Sequence, residues 1–197
     1  MLLVNRGASA DPRGAEGLAA LTVDMLDEGS DRRSAIEMHE ALARIGAQLD
    51  SDIGPDAVLL SITALSRFTD RTLGLLADMV VRPTMAEADF ERVRQLRLHR
   101  LRQLRDLPGA VADRTFARLL YGSHPYGHTP LGSETSLGIM HVDDVRAFQE
   151  RHCARPNVQL AVAEADMLTR STQTIINQVA ALKRMVANGK TIQEIGR

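Results

Sequence analysis

The chain has 197 residues, of which 44% are hydrophobic and 25% charged, and its formal net charge is −1. This composition is typical of a globular domain, and the small net charge argues against nucleic acid or an anionic membrane as the partner. No apolar run approaches the roughly 20 residues that span a bilayer, and the start of the chain lacks the apolar segment of a secretory signal. The lone Cys153 excludes an internal disulfide and a thiolate zinc cluster.

The first third of the chain alternates between helical and strand-like patterns. Residues 2–5 have the apolar character of a strand, and apolar residues at helical spacing begin at Leu18, with Gly29 placed to close that helix. Ser34, followed three residues later by Glu37, is a capping box that predicts the start of a second helix. A turn at residues 54–55 then precedes an apolar stretch that predicts a strand.

The rest of the chain up to residue 163 is predicted to be mainly helical. The patterns predict a third helix near 73–80, a fourth from about 88 to 107, a fifth near 110–122, a short helix near 142–153 and a strand near 157–163. The fifth helix carries Val111, Phe116 and Leu119. Because helices and strands alternate irregularly, we predict an α+β fold.

The last 31 residues differ in composition from the rest. They contain both lysines of the chain, and they carry five basic residues and one acidic residue, whereas the preceding part carries 19 and 24. An amphipathic stripe from Ile175 to Val186 predicts a helix there. We therefore predict a domain over residues 1–166, truncated at its N-terminus, and a helical tail over residues 167–197 that arose by fusion or by a change of reading frame.

Five segments between about Val4 and Ala163 resemble, in order and spacing, the insulinase/pitrilysin family of zinc peptidases, which includes the mitochondrial processing peptidases. They are RGASADPRGAEGLAALTVDMLDEGS, LARIGAQLDSDIGPDAVLLSITAL, LGLLADMVVRPTMAEADFERVR, HPYGHTPLGS and VDDVRAFQERHCARPNVQLAVA. The resemblance implies most of one α+β repeat, in which a mixed or antiparallel sheet packs against several helices. In this family, two or four repeats assemble into a clam-shell around an interior chamber.

Active members of the family carry H-x-x-E-H on the first helix, which places two zinc ligands on one face with a general base between them, and a further Glu about 75 residues on. When this motif is aligned with the chain, the first His falls at Ala20, the base at Val23, the second His at Asp24 and the distal Glu at or next to Arg100. Ala and Val offer no lone pair to a metal, and Arg100 would repel one. The resemblance therefore implies an inactive homologue with no catalytic residue, no metal and no cofactor.

An acid and a base at two of these positions suggest a replacement for the metal. If the family geometry is kept, Asp24 and Arg100 face each other, and we predict a salt bridge between them that takes the place of the zinc. The alternative is that both side chains point independently to water. The fourth helix is rich in arginine, which is typical of a solvated face. The alternative there is that Arg97 and Arg100 contact an acidic segment of a peptide or partner.

Two other candidate sites are weaker. His124 and His128 have a spacing that suits zinc on a helix, but Pro125 and Gly127 lie between them and predict a turn, so the geometry fails. Cys153 lacks the His and Asn pattern of a catalytic nucleophile.

The resemblance implies a non-catalytic subunit or repeat that forms a chamber wall and helps to bind and position an extended peptide beside a catalytic homologue. That homologue or a second copy of this chain is the expected partner, and neither nucleic acid nor a membrane is expected. Three alternatives stay open: a structural assembly subunit, a truncated remnant without present function, and a DNA-binding protein built on the tail. The compartment stays open between bacterial cytoplasm and periplasm.

Overall fold

The computed structural model describes residues 1–153 and 155–163 of the chain. The chain divides into two compact units, Met1–Leu160 and Ala161–Arg197. The predicted tail helix and the predicted boundary at residue 166 lie outside the described residues and stay predictions. None of the helices in the described part is long and apolar enough to cross a membrane.

The first unit contains seven α-helices and six strands. The helices are α1 Leu18–Asp24, α2 Ala35–Ala43, α3 Thr69–Val81, α4 Glu87–Arg105, α5 Pro108–Tyr121, α6 Glu134–Ile139 and α7 Val142–His152. The strands are β1 Leu2–Val4, β2 Gly29–Ser30, β3 Arg33–Ser34, β4 Gln48–Ile53, β5 Val58–Thr63 and β6 Val158–Leu160. The predicted α+β class is confirmed.

Four of the strands form one antiparallel sheet in the order β4-β5-β1-β6. In the register, Leu2 lies opposite Leu60 on one side and Leu160 on the other, and Ser51 of β4 also lies opposite Leu60. One face of the sheet is buried through Leu2, Leu60 and their neighbours at every second position. Strand β4 is at an edge, and its outer side has no neighbouring strand within the described residues.

Helix α1 lies at the centre of the unit. Every residue from Leu18 to Val23 is buried, because this stretch carries no charge and is surrounded by α4, α7 and the sheet. Its first residues are capped from outside the helix: the Asp11 carboxylate accepts the backbone N–H groups of Gly17 and Ala19, each at 2.7 Å. Gly17 has φ 99°, and a Cβ there would approach the Gly132 backbone to 2.9 Å, so the position needs glycine.

Of two local sequence signals, the capping box is confirmed and the helix-ending glycine is not. The Ser34 hydroxyl accepts the Glu37 N–H while the Glu37 carboxylate accepts the Ser34 N–H, which is the predicted capping box of α2. The predicted end of the first helix at Gly29 is wrong. Helix α1 ends at Asp24, and Gly29 begins β2 with φ 118°, opposite Ser34 of β3.

Candidate functional site

The contact between α1 and α4 is held by a salt bridge. The Arg97 Nε donates to Asp24 Oδ2 at 3.0 Å, and its Nη2 donates both to the same oxygen and to the Ala20 carbonyl oxygen, the latter at 3.1 Å. The Arg97 side chain is only 7% exposed, whereas that of Asp24 is 33% exposed. The guanidinium is therefore the buried partner, and it joins the two helices through both side-chain and backbone acceptors.

The predicted pairing of Asp24 with Arg100 is wrong by one helical turn, because Asp24 pairs with Arg97. Val93, Arg97 and Leu101 follow one another at four-residue spacing on α4, and all three are buried. Arg100 lies off that stripe and is exposed. The apolar residues four positions before and after Arg97 are the sequence signal that could have identified it as the inward-facing arginine.

A cavity of about 340 Å³ opens beside this salt bridge. Its charged lining consists of Asp24, Asp27, Glu28, Arg97 and Arg100, and most of the rest is apolar. Glu28 is engaged in an ion pair with Arg92 of α4. Burial raises the pKa of Asp27, the nearby Glu28 adds to that effect, and His39 opposes it. Within the described residues neither Asp27 nor Arg100 forms an ion pair, and both line the cavity.

Strand β4 borders the same cavity, because Leu49 and Ser51 are among the lining residues. The Gly54 N–H donates to the Ala57 carbonyl oxygen at 2.9 Å across the turn between β4 and β5. Since hydrogen-bonded and non-hydrogen-bonded pairs alternate in an antiparallel ladder, the N–H and C=O groups of Leu49, Ser51 and Ile53 point away from β5. They are thus directed to the open edge, where an added strand would pair.

The model of the family described as insulinase, Peptidase family M16, matches residues 1–132 of this chain. The chain belongs to the insulinase family. The beta subunit of the mitochondrial-processing peptidase of Mus musculus is 24% identical over 163 residues, which are 82% of this chain and 33% of that protein. The uncharacterized zinc protease YmxG of Bacillus subtilis is 22% identical over 160 residues, which are 81% of this chain and 39% of that protein.

A solved structure supports the same assignment. The crystal structure of the peptidase M16 inactive domain from Pseudomonas fluorescens matches with a TM-score of 0.75 and 28% identity, covering 80% of this chain and 38% of that chain. The chain therefore spans well under half the length of these three insulinase-family relatives.

The residues that the sequence resemblance assigns to the family's metal positions do not fit a zinc ion. Ala20 and Val23 are buried and carry no donor atom, and the Asp24 carboxylate is engaged by Arg97. Arg100, which the resemblance places at or next to the distal position, lines the same cavity and adds a positive charge to it. Within the residues that the structure describes, no group of three His, Cys, Asp or Glu side chains is placed to hold a metal.

The other candidates are engaged locally. A 3₁₀ turn, Pro125–Gly127, separates His124 from His128, and the His124 Nδ1 accepts the Tyr126 N–H at 3.2 Å. The two imidazoles are therefore not arranged along a helix as a ligand pair. Burial raises the pKa of the Cys153 thiol to about 11, which keeps it protonated and unreactive at neutral pH.

Proposed function

We propose that this chain is a non-catalytic subunit or repeat of an insulinase-family peptidase, which forms one wall of a peptide-binding chamber. The observation that carries the proposal is the Asp24–Arg97 salt bridge. It joins α1 and α4 at the place where the family resemblance puts the zinc. An ion pair at this place keeps the two helices in register and supplies no reactive centre.

The chemistry of the site supports a binding role over hydrolysis. Metal-assisted peptide hydrolysis needs a Lewis acid and a base that accepts a proton from water. Val23 stands at the position that the resemblance gives to the base and has no titratable group, and the guanidinium of Arg97 donates to Asp24 Oδ2 and to the Ala20 carbonyl oxygen. These side chains can hold helices together and shape a cavity, but they cannot activate water.

The open edge of β4 supports binding of an extended peptide. A peptide that adds a strand to this edge gains main-chain hydrogen bonds, and alternate side chains give the specificity. The outward groups of Leu49 and Ser51 lie at the rim of the cavity that Asp27 and Arg100 also line. A peptide on β4 would therefore place its side chains next to those two charges, which keeps Arg100 as the proposed peptide contact. Arg97 is buried and serves the internal salt bridge.

The outer face of α5 supports association with a partner. Phe116, Leu119 and Leu120 are all exposed on this helix, and Leu119 is 81% exposed. A contiguous apolar surface of this kind on a family member that spans part of a longer architecture is typical of an interface. We propose a catalytic homologue or a second copy of this chain as the partner.

A structural assembly subunit is the second candidate function, and the same α5 face favours it. In that case the chain would assemble tightly through Phe116, Leu119 and Leu120 and would not affect peptide turnover. The two candidates differ in whether the β4 edge has a role, so an experiment on β4 separates them.

The first test measures zinc content by elemental analysis and oligomeric state by light scattering on the same purified sample, with and without added zinc. We expect substoichiometric zinc together with a dimer, or a hetero-assembly once a catalytic homologue is added. One zinc ion per chain would contradict the placement of Ala20, Val23, Asp24 and Arg100 at the family's metal positions.

The second test removes the outward N–H of Ser51. Ser51→Pro deletes that donor without touching a hydrogen bond to β5, and proline is tolerated on edge strands. Ser51→Ala is the matched control, because it removes the hydroxyl and keeps the N–H. With fluorescein-labelled insulin B chain as the probe, we expect an anisotropy titration to give a Kd about tenfold weaker for Ser51→Pro and little changed for Ser51→Ala. Equal binding by both variants would favour the structural candidate.

A further inference from the structure

A second cavity, of about 410 Å³, lies apart from the site described above. Its walls come from the loop before α1, from α5 and from the segment between α5 and α6, and they include Arg13, Arg114, Arg118, His124, His128 and Ser133. Ligand sites in proteins are commonly clefts of about 300–1,000 Å³, so the size suits a small molecule.

The three arginines of this cavity are free of carboxylate partners. Within the described part of the chain, ten other arginines form ion pairs with Asp or Glu, from Arg32 to Arg146. No ion pair of Arg13, Arg114 or Arg118 occurs among the same residues, although all three line one cavity. Three guanidinium groups without an ion-pair partner at one cavity favour an anion there, because the anion supplies the opposite charge that each of them lacks.

The donors come from more than one direction. Arg114 and Arg118 are four residues apart on α5 and therefore share a face of the helix, while Arg13 reaches the cavity from the loop before α1. His124 uses its Nδ1 to accept the Tyr126 N–H, so its Nε2 carries the hydrogen and is available as a donor. An anion in the cavity would thus meet nitrogen donors from two separate segments and from the turn that follows α5.

Two carboxylates also line the cavity, and both are engaged with backbone N–H groups. The Asp11 oxygens accept the N–H groups of Gly17 and Ala19, each at 2.7 Å, and the Glu16 Oε1 accepts the Gly14 N–H at 2.9 Å. These bonds tie the negative charges to the start of α1. The lining therefore carries three positive charges against two negative ones, and the arginines have no competing ion pair.

We propose that this cavity binds a phosphate group, either as inorganic phosphate or as a small phosphomonoester. The planar guanidinium fork matches two oxygens of a phosphate, and three forks from two separate segments suit a tetrahedral dianion better than a flat monoanionic carboxylate. The proposal is independent of the peptide-binding role, because the cavity shares none of its lining residues with the Asp24–Arg97 site.

Isothermal titration calorimetry in a phosphate-free buffer at constant ionic strength tests this site, with inorganic phosphate and glycerol 3-phosphate as probes. We expect one site on the full chain, weakened tenfold or more in the double variant Arg114→Gln/Arg118→Gln. Arg44→Gln is the matched control, because Arg44 is an exposed arginine just after the end of α2, paired with Glu40, and the variant should bind like the wild type.

The two probes distinguish the source of the phosphate. Tighter binding of glycerol 3-phosphate identifies a phosphomonoester as the ligand, and tighter binding of inorganic phosphate identifies the free ion. Absence of binding to the wild type, or equal weakening by the double variant and by Arg44→Gln, would overturn the proposal. If the double variant does not fold, as judged by thermal melting, Arg13→Gln replaces it with the same expectation.

Discussion

Salt bridges hold neighbouring elements of the domain together at two places. The buried partner is the arginine at one place and the aspartate at the other. In the α1–α4 contact the base, Arg97, is buried, and the acid, Asp24, is half-exposed. In the contact between α3 and the β2–β3 ribbon the acid is buried instead. There the Asp78 side chain is 6% exposed and accepts hydrogen bonds from Arg33 at 2.6 Å and Arg82 at 2.7 Å, both of which reach solvent.

This difference predicts which substitution lowers the stability of the fold more. Removing one partner of a salt bridge is expensive when the partner left behind is a buried charge that water cannot reach. The α1–α4 contact should therefore be more sensitive to loss of Asp24 than to loss of Arg97. Loss of either kind of partner should destabilise the Asp78 cluster less, because three arginines, Arg32, Arg33 and Arg82, share one acid and each of them reaches solvent.

We expect the largest loss of stability from substitution of Asp24. Asp24→Ala leaves the buried Arg97 guanidinium without its carboxylate, so we expect the free energy of unfolding to fall by about 3 kcal/mol or more. Arg97→Met keeps the volume and leaves a carboxylate that water can reach, so the expected loss is about 1 kcal/mol. Urea denaturation followed by circular dichroism measures both.

A surface pair provides the control for that comparison. Arg102→Met removes an arginine of the same helix that is paired with Glu134 and exposed, and we expect a change within about 0.5 kcal/mol. If Asp24→Ala costs no more than Arg97→Met, the assignment of Arg97 as the buried partner is wrong.

We expect the second largest loss of stability from substitution of Asp78. Asp78→Asn removes the negative charge between Arg33 and Arg82 while keeping the size of the side chain, and we expect a loss of about 2 kcal/mol at pH 7. Burial of Asp78 opposes its ionisation, but the hydrogen bonds from Arg82 and Arg33 outweigh burial and lower its pKa below 3.8.

A lowered pKa fixes the pH range in which Asp78 stabilises the fold. Its contribution is fully present above the unfolded value of 3.8 and is lost as the pH falls through the lower folded value. The difference in unfolding free energy between the wild type and Asp78→Asn should therefore shrink below about pH 4. A difference that stays constant down to pH 2.5 would contradict this role.

Much of the fold could be predicted because it depends on local signals. The capping box of Ser34 and Glu37 fixes the start of α2 from residues three apart. Strand β4 was not predicted, because its sequence QLDSDI is mostly polar and the strand is defined by pairing with β5 at an exposed edge. Periodicity also predicted α5, but not that its apolar residues Phe116 and Leu119 would face outward.

The site could be predicted only in part. Alignment to the family motif predicted the loss of the first zinc ligand at Ala20 and of the general base at Val23, since that inference needs residue identity alone. Which arginine pairs with Asp24 depends on how α4 is rotated about its axis. The alignment to the family motif placed this partner one helical turn too far along the chain, at Arg100. The cap of α1 by Asp11 was not predicted because the capping residue lies outside the helix and has no fixed spacing to it.

The smallest effect on stability at pH 7 is expected at Asp11, a partly buried acid with no arginine partner within the described residues. Burial raises the pKa of Asp11 to about 6, although the N–H groups of Ala19 and Gly17 partly offset burial. Asp11→Asn removes a charge that burial disfavours and also loses one acceptor for those N–H groups. Because these effects oppose each other, we expect a change of about 1 kcal/mol or less at pH 7.

The pH dependence separates Asp11 from Asp78, because the sign is opposite. Between pH 3.8 and about 6 the folded protein binds a proton at Asp11 that the unfolded chain has released, so wild-type stability falls as the pH rises through this window, by about 3 kcal/mol at most. Asp11→Asn should lack this slope, whereas Asp106→Asn, at an exposed acid on the surface, should keep it. The measurement is urea denaturation in acetate and MES buffers, which avoids any phosphate bound near Asp11. A wild-type slope that persists in Asp11→Asn would mean that another group titrates in this range and that Asp11 is already charged at pH 4.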